Sequence, residues 1–151
     1  MPIIQSCSKQ FKHCVKNADL SGMEKASKAA WEAMTNLFDV LRNEQDHGHL
    51  SASCMNASTG HIVKPLSLQE QNAMIAAGRI NKEHLGFGAL TLREALNKIA
   101  HYDTNLATFR VDGRGAHYLV LGGKQGSAGW IVEILVSRLC KNAATAVKHI
   151  A

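Results

Sequence analysis

Three polar residues in one stretch of the chain have the types and spacing of a phosphodiester-cleaving site. Arg93, Asn97 and His101 follow one another at four-residue steps, so they would lie along one flank of a helix. An arginine can clamp a phosphate with two parallel hydrogen bonds, and a histidine exchanges protons near neutral pH. The asparagine could orient the imidazole or the substrate. Polar residues four apart are equally typical of a solvated helix face, so the spacing leaves both interpretations open.

The segment Asn97–His101 is similar to the Asn-x-x-x-His core of HEPN domains. These helical domains belong to bacterial and archaeal defence and toxin systems, and many are metal-independent ribonucleases. The resemblance implies that His101 is the general acid or base of RNA cleavage by the 2′-hydroxyl, with Asn97 beside it. It extends more loosely to Arg93, which would stabilise charge on the phosphate. HEPN nucleases usually carry an arginine directly before the asparagine, where this chain has Leu96, or four to six residues before the histidine, whereas Arg93 lies eight positions before His101. HEPN sites are usually composite, which implies a homodimer.

The C-terminal part of the chain also resembles a group of uncharacterised bacterial proteins. The resemblance includes the helix Leu92–His101, the run Tyr118–Leu121 and the strand that begins at Trp130, and it does not include residues 1–80. We therefore expect a protein that binds or cleaves RNA in a bacterial defence, toxin or mobile-element context. Two other functions stay open. One is a non-catalytic interaction protein, such as a phage or plasmid inhibitor of a host defence complex, and the other is a helical sensor with a small ligand between helices and sheet.

The basic balance of the chain favours polyanionic partners. The formal net charge is +5 and the calculated pI about 9.2, which favours association with nucleic acid without specifying a fold. The residues expected to contact RNA are Lys98, Arg110, Arg114 and Lys124. The first two helices add a basic set: Lys9, Lys12, Lys16, Lys25 and Lys28. Separate solvated lysines would account for this set equally well.

Two further segments contain residue types that bind metals or phosphates. His47, His49, Cys54 and His61 are side chains that zinc accepts, but their spacing matches no zinc finger, and a solvated His-rich loop explains them as well. The glycines of 122–129 suggest a phosphate loop, yet the GxxxxGK[ST] pattern is absent. We therefore expect no metal and no cofactor, and a flexible connection at 122–129.

The elements that must position these residues are predicted from periodicity and capping signals. A first helix is expected at 8–17, and a long one runs from a capping box at Ser21 to about Glu44. Capping boxes at Ser67 and Thr91 open helices that end near Gly78 and Tyr102. Ser137 is expected to cap the last helix.

The remaining segments are predicted as strands and one long loop. Runs at 107–111 and 116–121 flank Asp112-Gly113, which is a hairpin signal, and a third strand is expected at 130–136. Residues 45–65 lose all periodicity and are predicted to form a long His- and Ser-rich loop. The predicted fold is a single α+β domain over 1–151, with four or five helices and a three-stranded antiparallel meander near the C-terminus.

Composition supports a folded chain in a reducing compartment. The apolar fraction is 46% and the charged fraction 19%, as in ordinary globular proteins. No segment has the pattern of a secretory signal or of a membrane span. The four cysteines form no CxxC pair, so we expect reduced thiols and a cytoplasmic location, with no membrane partner.

Overall fold

The computed structural model describes residues 2–150, and in this range it contains six helices and one five-stranded sheet. The helices are α1 (Pro2–Lys16), α2 (Leu20–Asp46), α3 (Ala52–Met55), α4 (Leu68–Ala77), α5 (Leu92–His101) and α6 (Val136–Lys148). The strands are β1 (Ser58–Leu66), β2 (Phe87–Thr91), β3 (Ala107–Val111), β4 (His117–Gln125) and β5 (Ala128–Leu135). All paired strands are antiparallel, in the order β2-β1-β5-β4-β3. The predicted α+β class is confirmed. The predicted three strands and four or five helices are fewer than the five strands and six helices of the described residues.

Both faces of the sheet are covered, because side chains alternate along each strand. On β5, Trp130 and Val132 belong to the larger apolar cluster, which includes residues of α1, α2, α5 and α6. Ile131, between them, belongs to a smaller cluster with Met74 of α4 and Ile80. The sheet is therefore the middle of three layers. Among residues 2–150, no helix combines the length and apolar character that crossing a bilayer would require.

The capping box predicted at Ser67 is present in full, and the one predicted at Thr91 is half formed, because Glu94 accepts from the Thr91 hydroxyl and not from its backbone N–H. Ser67 and Glu70 form a reciprocal capping box at the start of α4, and Gly78 ends that helix in the left-handed conformation. The Thr91 hydroxyl accepts a hydrogen bond from the Glu94 N–H at the start of α5. The predicted cap at Ser21 is wrong, because the carboxylate of Asp19 accepts the Gly22 N–H instead.

Two other helix predictions also need correction. The first helix begins at Pro2 instead of residue 8. The last helix begins directly after β5 with no side-chain cap, so Ser137 does not have the expected role.

The predicted loop at 45–65 is wrong, because it contains α3 and most of β1. β1 lies inside the sheet, between β2 and β5. Its consecutive residues Ile62 and Val63 are buried on opposite faces, so the segment shows no alternation of apolar and polar residues. Gly60 is needed where β1 passes β5, since a Cβ there would overlap the backbone oxygen of Glu133. Because β1 is buried on both faces and contains a glycine, its sequence lacks the alternation of apolar and polar residues by which a strand is usually recognised.

The predicted β3–β4 hairpin is present, and the β4–β5 connection is shorter than predicted. The Asp112 carboxylate accepts hydrogen bonds from the N–H groups of Arg114 and Ala116 and so fixes the first turn. The second turn is limited to Gly126 and Ser127, because β4 continues to Gln125. The segment 122–129 is therefore mostly sheet and not a flexible connection.

Candidate functional site

Arg93, Asn97 and His101 all lie on α5, as predicted, but they do not converge. Arg93 donates to the side chain of Gln45 and forms an ion pair with Asp46, with 3.5 Å between Nη2 and Oδ1. The ring of His101 is exposed and packs edge-on against Phe38, 6.3 Å between centroids. Arg93, at the start of α5, contacts the last residues of α2, and His101, at the end of α5, contacts Phe38 further back in α2. The two helices therefore run antiparallel.

The separation along α5 prevents Arg93 and His101 of one chain from contacting the same phosphate oxygen. Eight residues of α-helix extend about 12 Å, and the Arg93 guanidinium is already directed to the end of α2. Asn97, half-buried between them, makes no side-chain hydrogen bond within residues 2–150. A site on this flank would need groups from a second molecule.

Two of the four predicted RNA contacts, Lys98 and Arg110, are engaged by other groups of the protein. Lys98 is buried, with its Nζ 4.5 Å from the centre of the Trp130 ring. Burial, and then the charge of Lys64, lowers the pKa of Lys98. Arg110 pairs with the buried carboxylate of Glu133, with 3.0 Å between Nη1 and Oε2.

The Arg110–Glu133 pair connects the sheet to the segment after α4. Glu133 also accepts the Ile80 N–H at 3.0 Å, and Arg110 donates to the Gly78 carbonyl at 2.8 Å and lies over the Tyr118 ring. Burial alone would raise the pKa of Glu133, but the hydrogen bonds from Arg110 and Ile80 lower it below its usual range. The arrangement satisfies both charges internally, so Arg110 has a structural role.

The other two predicted contacts, Arg114 and Lys124, are exposed but far apart. Arg114 lies in the turn before β4, and Lys124 is near the opposite end of that strand. Six residues from Tyr118 to Lys124 correspond to about 20 Å of strand. The four residues therefore form no single basic patch.

The four residues considered for zinc are not brought together. His47 and His49 stack on each other at the end of α2, and His49 pairs with Glu44 at 2.8 Å. His61 stacks on Phe87 in the sheet. In the described part of the chain, no group of three potential metal-ligating side chains occurs. All four cysteines are free thiols.

An apolar cavity of about 200 Å³ lies where α1 and α2 cross β3 and β4. We call it the hairpin pocket, because α1 and α2 form the helical hairpin that covers it. Its walls are mainly apolar and include Phe11, Trp31, Met34, Phe109, Leu119 and Leu121. Small residues on the facing elements, among them Ala26, Ala30 and Ala107, leave the space unfilled.

One polar side chain in this wall, His117, is 9% exposed and incompletely hydrogen-bonded. Its Nδ1 lies 2.8 Å from the Ser8 hydroxyl, which also lines the hairpin pocket. Its Nε2 is buried and has no hydrogen-bond partner in residues 2–150. The ring stacks parallel to Phe11, with centroids 5.1 Å apart. Leaving such a nitrogen unpaired costs about 1–3 kcal/mol, which a ligand with one polar group would recover.

Burial also determines the charge of His117. Desolvation, and to a smaller degree the positive charge of Lys12, lowers its pKa to about 4. The imidazole is therefore neutral at pH 7, with one nitrogen as donor and the other as acceptor. Since the Ser8 hydroxyl can rotate to donate or accept, Nε2 can present either role to a ligand.

The sequence predictions did not include His117, although a signal for it exists. His117, Leu119 and Leu121 alternate along β4 and therefore share one face. A histidine in phase with buried leucines predicts a polar group in the core, but it does not predict a cavity beside it. The cavity depends on which helix residues lie opposite, and all of these except Val136 come from the first 34 residues.

Acid should destabilise the protein through His117. The folded state lowers the pKa of this group, so its contribution to stability is present above the unfolded pKa of about 6.5 and is lost as pH falls towards 4. Between pH 7 and 4 the free energy of unfolding should fall by up to about 3 kcal/mol more in the wild type than in His117→Phe. Urea unfolding at several pH values measures this difference. Parallel pH profiles for the two proteins would contradict it.

Arg110 and Arg114 should differ sharply in their effect on stability. Arg110→Met leaves the Glu133 carboxylate buried and unpaired, so we expect a loss of about 3 kcal/mol. Arg114→Met, in an exposed turn, should stay within about 0.5 kcal/mol of the wild type. Equilibrium denaturation of both variants tests this, and equal effects would show that the ion pair has no structural role.

Comparison with known proteins identifies no relative of this chain. No family model matches it, and neither the curated proteins nor the solved structures include a significant match. The HEPN resemblance therefore stays a proposal from five residues.

Proposed function

We propose that this protein binds a small, mainly apolar molecule in the hairpin pocket. The single observation that carries the proposal is the buried His117 Nε2, which has no partner in the described chain and belongs to the wall of an apolar cavity. A cavity with mostly apolar walls and a few polar groups is the usual form of a small-molecule site. Of the functions considered from the sequence, the small-ligand sensor is the one that fits it.

The size of the hairpin pocket supports a ligand of about one aromatic ring. The cavity measures about 200 Å³, and an engineered apolar cavity of about 150 Å³ binds benzene. Trp31 lines the pocket and stacks on Tyr102, which follows α5, with centroids 4.7 Å apart. An occupant would therefore contact a side chain that connects α2 to the C-terminal end of α5. This contact gives binding a route to the rest of the helical layer.

Filling the hairpin pocket should abolish binding of an aromatic probe. p-Cresol offers one ring and one hydroxyl, and we expect it to bind with a Kd on the order of 0.1–1 mM. Ala30→Leu places a larger side chain in the pocket and should weaken binding at least about tenfold. Ala29→Leu is the control, because Ala29 is exposed on the same helix and does not line the pocket.

The measurement is an NMR titration that follows the indole N–H of Trp31 and the ring of His117. Saturable shifts at both residues in the wild type and in Ala29→Leu, lost in Ala30→Leu, support the proposal. No saturable shift in the wild type, or an equal response in Ala30→Leu, contradicts it.

The second candidate is RNA cleavage, with His101 as general acid or base and Asn97 beside it. What supports this candidate is that His101 is exposed and that neither side chain makes a hydrogen bond within residues 2–150. Arg93 is about 12 Å along the helix from His101, so a second copy of the chain would have to supply the cation. The expectation of a homodimer belongs to this candidate.

If this second candidate is right, His101→Ala should abolish cleavage of mixed RNA in the absence of metal and leave the fold intact. A loss of about 100-fold or more is expected for removal of a general acid or base. The control is His149→Ala, which removes another exposed histidine at the end of α6. Unchanged cleavage in His101→Ala, or no cleavage by the wild type, rejects the ribonuclease.

A further inference from the structure

A second, basic cavity adjoins the hairpin pocket. It measures about 300 Å³ and shares Ser8, His117 and Val136 with the hairpin pocket. Lys9 and Lys12 of α1 line this second cavity, which we call the basic pocket. The two cavities therefore adjoin at the Ser8–His117 pair and Val136.

The charged side chains that line the two cavities all have the same sign. No aspartate or glutamate occurs among the described residues that line either one. The ammonium group of Lys12 donates to the Gly115 carbonyl at 3.0 Å, which leaves two of its three N–H groups for another acceptor. Lys9 is exposed on the same helix, one position after Ser8. An anionic group in the basic pocket would meet two cations and no competing carboxylate.

We propose that the ligand is a small organic acid, with its apolar body in the hairpin pocket and its carboxylate in the basic pocket between Lys9 and Lys12. This inference rests on the proposed small-molecule site and specifies the chemistry of its ligand. The Ser8–His117 pair would lie beside the carbon that joins the two parts. Charge-assisted hydrogen bonds from the lysines would hold the carboxylate, and the aromatic walls would hold the body.

This arrangement favours an amphipathic acid over a free phosphate or a nucleic-acid backbone. The basic pocket by itself has two lysines and no buried cation, which is a weak anion site. Its distinguishing feature is the apolar cavity directly next to it, and a phosphodiester has no apolar part to fill that cavity. An occupant that uses both pockets must combine an apolar ring or branched chain with one anionic group.

A matched pair of probes separates the two parts of the inference. 3-Phenylpropionate and 3-phenylpropan-1-ol have the same body and differ in the charge of the end group. At pH 7 and low salt, calorimetry should give an affinity for the acid about tenfold higher than for the alcohol. Raising the salt concentration should lower the affinity for the acid and leave the affinity for the alcohol unchanged.

Two double variants locate the charge effect. Lys9→Gln with Lys12→Gln should bring the acid down to the affinity of the alcohol. Lys16→Gln with Lys28→Gln removes the same charge from exposed positions on α1 and α2 that line neither cavity, so it should keep the preference. If the preference survives in the first pair or disappears in the second, the carboxylate does not lie in the basic pocket and the inference is overturned.

The remaining outcomes distinguish the inference from the proposed function. Equal binding of acid and alcohol, both lost in Ala30→Leu, overturns the organic acid and leaves the hairpin pocket as a small-molecule site. Acid binding that persists unchanged in Ala30→Leu places the ligand outside the hairpin pocket and overturns the inference. Binding of neither probe overturns the inference, and with a negative p-cresol titration it overturns the proposed function as well.

Discussion

The apolar character of both faces of the central sheet is the constraint on which the rest of the structure depends. Consecutive residues of β1 and β5 are buried on opposite sides, as with Ile62 and Val63 or Trp130 and Ile131. Each side therefore needs a covering layer. α4 and the segment after it cover one side, anchored by Arg110 and Glu133. α5 and α6, with the α1–α2 hairpin, cover the other side. The edge strand β3 and its neighbour β4 depend on that hairpin.

The covering layer leaves a space where α1 and α2 cross β3 and β4, because small side chains face each other there. Leu and Ile side chains at Ala26, Ala30 and Ala107 would fill the cavity, and burial of such side chains typically stabilises a protein by about 1.5–3 kcal/mol each. The chain has alanines at these places, next to a buried imidazole with an unsatisfied nitrogen. An unfilled cavity and an unpaired polar atom are both costly, and one small ligand would remove both costs.

Local signals in the sequence predicted the elements that depend on neighbouring residues. Ser67 and Glu70, three residues apart, cap α4. The Asp112 carboxylate fixes the β3–β4 turn by accepting the N–H of Ala116, four residues later. β1 was missed because its partner β5 lies about seventy residues later and both its faces are buried.

The same limit applies to the site. Arg93, Asn97 and His101 were correctly assigned to one helix, but their spacing could not show that Arg93 pairs with Asp46. His117 becomes a candidate only when Ser8 and Phe11, more than a hundred positions earlier, are folded against it.

The most direct test of the central claim is to locate an inert apolar guest in crystals of the protein. Xenon enters dry apolar cavities without needing any polar partner, so it reports the cavity independently of the ligand's chemistry. Pressurised crystals should show a xenon atom between Trp31 and Leu119, within the walls of the hairpin pocket, and Ala30→Leu crystals should not. Wild-type crystals without xenon there, with α1 packed directly onto β3 and β4, would contradict the account.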